Sequence, residues 1–357
     1  MAAHPALAGG PLWHGGGVSD VVVPTIDLTP LRDPDAPSEA RARVAAEIGR
    51  ACERFGFLQV VGHGIDPALR LALHEAAERF FALDESTKDR IAMRHGGRAW
   101  RGWFAVGHEL TSGVPDDKEG LYFGTELPPD DPRVRAGLPL HGPNLFPDEP
   151  AELGPLVLEW MARTTEVGRV VLSGLAVGLG LEADWFERWV ADPTVLFRIF
   201  HYPPPPPGFA GSWGVAEHTD YGLLTLLVQD DTGGLEVRVD DRWIEVPPAE
   251  DAIVCNLGDM LERVTGGRLR STPHRVRLPE QDRYSFPLFL DPSWDAEMEP
   301  IPGFEPTERA LADAAHGRWD GTGVLDVQGP YGDYLLRKVS KAFPELFRAH
   351  VDPSSDD

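Results

Sequence analysis

The chain has 357 residues, a formal net charge of −24 and 42% hydrophobic residues. That length can bury a sizeable core in one large domain or two small ones, and the acidic balance disfavours phosphate backbones and anionic lipid, so neither nucleic acid nor membrane is an expected partner. The two cysteines, Cys52 and Cys255, form no CxxC pair and no apolar run is long enough to span a bilayer, which points to a reducing, cytoplasmic setting.

Residues 1–20 lack the basic start and apolar stretch of a secretory signal, and are expected to form a flexible tail with His4 and His14 solvated. Residues 21–26 have strand character. Residues 38–54 repeat apolar positions at helical spacing (Val44, Ala45, Ile48, Cys52), with Ser38 as the expected N-cap. GFLQVVGHGI (56–65) reads as a buried strand and turn, and residues 67–83 as a second helix. Asp84 is a cap for a short third one. Residues 96–150 are crowded with glycine, Asp-Pro and Pro-Pro and read as long ordered loops, the order coming from Trp100, Trp103, Phe104, Tyr122 and Phe123. Residues 150–180 form a long apolar helix.

From residue 195 the period changes to two. LFRIFHY, LLTLLVQ, LEVRV, RWIEV, AIVCNL, HRVRL and YSFPLFL are short strands parted by turn residues, the pattern of an antiparallel sandwich or barrel. Residues 203–207 are a stiff proline connector, and residues 331–343 an amphipathic closing helix. The expected organisation is a tail (1–20), a helical and loop region (21–150), a helix with a β core and closing helix forming one structural unit (151–345), and a second tail (346–357).

His218 and Asp220 are two residues apart at the head of an apolar strand, so both side chains are expected on one face. His274 lies on a later strand. Two His and one carboxylate on one face of an octahedron leave three positions open, as in non-haem Fe(II) oxygenases. Arg283 and Ser285 also alternate, in step with Pro287 and Phe289, while Tyr284, Phe286 and Leu288 form the opposite face. Arg283 therefore points into the barrel. A buried guanidinium needs a counter-charge, supplied either by a bound carboxylate, with Ser285 adding a hydroxyl, or by a protein Asp or Glu.

HTDYGLLTLLVQDDTGGLEV, NLGDMLERVTGGRLRSTPHRV and the RYS at 283–285, together with the N-terminal VPTIDL and GFLQVVGHGI, resemble the isopenicillin N synthase-like family of Fe(II)/2-oxoglutarate-dependent dioxygenases. The resemblance runs from about residue 23 to the closing helix. It implies a mainly β fold, a double-stranded β-helix or jelly roll flanked by helices, with a helical N-terminal region. It implies Fe(II) on His218, Asp220 and His274, and 2-oxoglutarate held at its far carboxylate by Arg283 and Ser285. Within RIFHYPP, Arg198 and Tyr202 match family residues lining the pocket, as cosubstrate or substrate contacts. The implied activity is oxidation of a small organic substrate by O2 (hydroxylation, desaturation or cyclisation) with release of succinate and CO2; ascorbate is a candidate stimulant.

RVRAGLPLHGP and GHELTSGVPD also resemble a bacterial and fungal ethylene-forming branch. Glu109, Thr111 and Tyr221 fall where its substrate-binding residues lie, with Phe289 added from the Arg283 face. Gln328 stands where that branch has an Arg, a departure that argues against arginine as substrate and ethylene as product. Arg101 and Trp103 are weaker candidates for the substrate mouth. Three rivals remain: an oxidase of the same fold working without 2-oxoglutarate, a zinc hydrolase using the same three ligands, and a binding protein on a scaffold that has lost catalysis.

Overall fold

Period-two patterning becomes two β-sheets with a cavity between them in the computed structural model, which describes residues 21–206, 213–316 and 323–352. The expected tail at 1–20 with His4 and His14, Pro207 of the proline run, and residues 353–357 lie outside the described residues.

The strands are β1 (Thr25–Asp27), β2 (Phe57–Val61), β3 (Gly102–Phe104), β4 (Leu110–Thr111), β5 (Val114–Pro115), β6 (Glu119–Gly124) and β7 (Pro193–Tyr202). They continue with β8 (Trp213–His218), β9 (Leu224–Gln229), β10 (Leu235–Val239), β11 (Arg242–Glu245), β12 (Ile253–Leu257), β13 (His274–Arg277) and β14 (Arg283–Ser293). A large sheet runs β1-β2-β12-β9-β14-β7-β6-β3, and a small one runs β11-β10-β13-β8. The four strands β12, β9, β14 and β7 with the four of the small sheet make the expected jelly roll. Among the described residues, the only two-stranded sheet is the β4-β5 hairpin.

Local chemistry sets the flanking helices. The Pro67–Phe81 helix starts where Asp66 accepts the Ala68 N–H, with proline in its first turn, where no N–H is needed. Asp84 caps the short Glu85–Lys88 helix by accepting from Thr87, as expected. The Ser38–Arg54 helix is entered through Pro37, and Ser38 is its first residue rather than its cap. It crosses the long Leu153–Gly178 helix at glycines: a Cβ on Gly49 would stand 3.1 Å from the Gly178 carbonyl oxygen. Gly168 lets the same long helix seat against Leu226 and Leu290 of the large sheet.

Two expectations about elements need correction. Residues 96–150 are not loops throughout: they supply β3 to β6, and β6 is fully buried between β3 and β7. Some of the glycines that suggested turns make room for aromatic rings. A Cβ on Gly120 would come within 2.8 Å of both Phe104 and Phe200. At the other end, the segment expected to be tail from 346 begins inside a helix, Pro344–His350, after the closing helix Tyr331–Ala342.

Candidate active site

His218, Asp220 and His274 come together at one end of the small sheet. His218 is the last residue of β8, and His274 opens β13 directly opposite it in the antiparallel register. Asp220 lies just past the end of β8, in the segment leading to β9, and its carboxylate meets both histidines. One ligand atom from each residue lies within 4.8 Å of the others. Asp220 Oδ1 is 3.8 Å from Nε2 of both His218 and His274.

Hydrogen bonds behind these residues fix which atoms face inward. His218 Nδ1 is 2.8 Å from the Ala216 carbonyl and His274 Nδ1 is 3.1 Å from that of Thr272. A carbonyl only accepts, so each Nδ1 carries the proton and each Nε2 presents a lone pair. Asp220 Oδ2 accepts from Thr225 Oγ1 at 2.5 Å and from Asn256 Nδ2 at 2.6 Å, leaving Oδ1 for the centre. Burial opposes ionisation of Asp220, but the charges of His274 and His218 and those two hydrogen bonds outweigh it and hold the carboxyl below its ordinary value. Burial, and then the charge of His218, lowers His274 to about 4. Two imidazoles with Nε2 turned inward and one carboxylate make a donor set that fits a divalent first-row metal.

Across the cavity, the inward face of β14 carries Arg283, Ser285, Pro287 and Phe289, in the expected order. Arg283 is 1% exposed. Its Nε donates to the Gly233 carbonyl at 2.6 Å, and its guanidinium lies 4.7 Å from the Tyr202 ring centroid. Its Nη1 is buried with no hydrogen-bond partner, and among the described residues no Asp or Glu pairs with it. The structural ion pair weighed from sequence is therefore not what Arg283 makes. A buried guanidinium with Nη1 unpartnered, facing a cavity that also holds a metal-binding triad, fits a carboxylate ligand.

The remaining wall is largely apolar, and the cavity as a whole encloses about 160 Å³. Arg198 lies 3.4 Å over the Tyr122 ring and donates to the Phe123 and Phe197 carbonyls. Glu109, Thr111, Tyr221 and Phe289 all face the cavity. Glu109 pairs with Lys118 at 2.7 Å and accepts from Tyr122, while Thr111 donates to Asp116 at 2.7 Å. Gln328, by contrast, is exposed and is not on the cavity wall. Arg101 and Trp103 are buried behind the wall; Trp103 Nε1 donates to Glu119 at 2.8 Å.

Sequence reasoning missed three groups here. Thr225 and Asn256 orient Asp220, and no spacing rule flags them. Lys118 is buried on the wall, and Asp116 and Glu109 hold its charge against the cost of burial. Asp291 continues the alternation of Arg283, Ser285, Pro287 and Phe289, so the same period-two argument carried one step further finds it.

Comparison with known proteins agrees with this geometry. Residues 193–292 match the model of the 2OG-Fe(II) oxygenase superfamily, and residues 23–149 that of the non-haem dioxygenase in morphine synthesis N-terminal region. A probable iron/ascorbate oxidoreductase of Dictyostelium discoideum is 42% identical over 91% of this chain and 95% of its own. The 2-oxoglutarate-dependent dioxygenase citB of Monascus ruber is 36% identical over 91% of this chain and 97% of its own. A full-length Neurospora crassa protein crystallised with alpha-KG and thymine superposes with a TM-score of 0.73 at 26% identity, over 91% of this chain and 98% of that one.

Proposed function

The chain belongs to the 2OG-Fe(II) oxygenase superfamily and is an Fe(II)- and 2-oxoglutarate-dependent oxidoreductase, and from that premise we propose how its own residues divide the work. His218, Asp220 and His274 hold the iron. Arg283 and Ser285 take the far carboxylate of 2-oxoglutarate, with Tyr202 packed against the guanidinium. The observation that carries this assignment is the buried Arg283 with an unpartnered Nη1, facing the same cavity as the triad.

Bound Fe(II) supplies activation of O2, coupling decarboxylation of 2-oxoglutarate to succinate and CO2 with oxidation of the substrate. The protein supplies geometry and a dry site. The Ala216 and Thr272 carbonyls fix the imidazole tautomers, and Thr225 and Asn256 fix the Asp220 carboxylate. Arg198, Tyr221 and Phe289 position a small organic molecule, and the Glu109, Thr111 and Lys118 cluster sets the polarity at the other side of the pocket. No side chain is needed as a general acid or base.

Within the family, the reading favoured is oxidation of a small organic substrate in the cytoplasm rather than the ethylene-forming reaction of the bacterial branch. It is supported by Gln328, which stands where that branch has an Arg and is exposed rather than on the cavity wall. The test is stoichiometric: with an oxidised substrate, one succinate should form per product, and no ethylene should appear in the headspace. Substrate turnover without succinate would establish the oxidase alternative instead.

A further inference from the structure

The turn that carries Asp220 is held by an element with no part in the cavity chemistry described so far. The first N–H groups of the short Asp259–Val264 helix have no partner within their own helix. They bond to the metal turn instead: Asp259 N–H to the Asp220 carbonyl at 2.8 Å, and Met260 N–H to that of Gly222 at 3.1 Å. Gly258 N–H adds a bond to the Leu223 carbonyl at 2.9 Å. The approach is tight, since a Cβ on Gly258 would stand 2.3 Å from the Gly222 oxygen. From the other side, the Asp291 carboxylate is seated on Gly222, where a Cβ would come within 1.6 Å of Oδ1.

Both aspartates are gripped by the same helix. Tyr331 donates its hydroxyl to Asp291 Oδ2 at 2.6 Å, and Tyr334 donates to Asp259 Oδ2 at 2.9 Å. The two tyrosines are three residues apart, on one face of the closing helix Tyr331–Ala342, and all four side chains are buried. Each hydroxyl thus ends on a residue that touches the metal turn, one through its backbone N–H and one through its carboxylate.

We propose that Tyr331 and Tyr334 are positioning residues for the metal centre: by tying Asp291 and Asp259 to the closing helix, they hold the turn at residues 220–223 in the geometry that binds the ion. The inference rests on the assignment of His218, Asp220 and His274 as iron ligands. Asp220 is the only anionic ligand of the three, and its Oδ1 must meet two Nε2 atoms at once, so a small tilt of the turn removes it from the set. The tyrosines never touch the metal; their effect passes through two hydrogen bonds and a backbone.

The test is titration of the purified full-length protein with Co(II), followed by visible absorption, beside thermal melts of the metal-free protein. Removing supporting groups around a metal site costs about 10–100-fold in affinity. These tyrosines act one step further out, so Y331F and Y334F should each weaken Co(II) several-fold, and the double variant about tenfold. Leu346→Ala, which loosens the packing of the last helix without touching either aspartate, should lower the melting temperature and leave Co(II) affinity unchanged. Asp291→Asn keeps an oxygen for Tyr331 and should bind Co(II) within about twofold of wild type. Tyrosine variants that melt earlier but bind Co(II) as wild type does would overturn the proposal, as would a loss of affinity in Leu346→Ala equal to theirs. If Asp291→Asn weakens binding while Y331F does not, the effect is one of charge, and the positioning role fails. A wild-type protein that binds no Co(II) would overturn the iron assignment, and this inference with it.

Discussion

Arg283 carries the sharpest residue-level expectation. A buried guanidinium bound to a carboxylate contributes about 1.5–3 kcal/mol through charged hydrogen bonds. Arg283→Ala should therefore raise the KM for 2-oxoglutarate by roughly 10- to 100-fold. Initial rates of succinate formation against 2-oxoglutarate concentration measure this; an unchanged KM would mean that the cosubstrate binds elsewhere. Asp291 gives a pH-dependent expectation. Burial raises its carboxyl to about 7, partly offset by the Tyr331 hydroxyl. An acid whose folded value lies above its unfolded one makes the folded state bind the extra proton. Stability is then highest at low pH and falls as pH rises from about 4 to about 7, by on the order of 4 kcal/mol. Asp291→Asn does not titrate, so it should be more stable than wild type at pH 8, with the gap closing towards pH 5 in parallel melts. At this scale, much of the cavity was legible in the sequence, because β14 keeps strict alternation from Arg283 to Phe289. The metal residues were legible as types at a spacing, but the meeting of all three was not: His274 is set against His218 by the β8–β13 register, which no local pattern shows.

Among elements, those governed by local rules were readable and those governed by distant contacts were not. The helices at 38–54, 67–81 and 153–178 follow from apolar spacing, and the first two also from Pro or Asp at their starts. β6 was hidden because its glycines resemble turn punctuation, although their work is to admit Phe104, Phe200 and the Arg101 guanidinium from neighbouring segments. β8 was overlooked because WGVAEH alternates only weakly and follows the proline run. The metal turn itself makes a prediction at this scale. A methyl group on Gly222 would occupy the place of Asp291 Oδ1, so Gly222→Ala must push that carboxylate off the turn. Overpacking of this kind costs about 1–3 kcal/mol. The melting temperature should drop, and Co(II) affinity with it, whereas Gly303→Ala, where no atom lies near the added carbon, should lower the melting temperature only through its left-handed backbone (φ 87°) and leave Co(II) affinity alone.

For the whole molecule, the ligands come from three separate parts of the chain, so the unfolded protein presents no such site and metal binding adds directly to folding free energy. Co(II) at one hundred times its dissociation constant should stabilise the protein by about 2.7 kcal/mol, reversibly with a chelator, and His274→Ala should abolish the shift. Melts with and without metal measure it. The overall architecture was legible from the switch between helical and period-two patterning. The pairing of N-terminal strands into the large sheet was not, since β2 reaches β12 and β6 reaches β7 across long stretches of sequence.

The two ends of the proposed cosubstrate site belong to different sheets. His218 and His274 stand on the small sheet, and Arg283 stands on the large one. Packed sheets keep a separation of about 10 Å that side chains alone cannot readily alter. The span between metal and guanidinium is thus a fixed caliper, set by the core rather than by any one residue. It should measure diacids by carbon count. Oxaloacetate, one methylene short, and 2-oxoadipate, one methylene long, should each support succinate-equivalent turnover about 10–200-fold less efficiently than 2-oxoglutarate. Resizing Ser285 or Tyr202 should not convert the preference, because the gap they border is held open by the whole barrel.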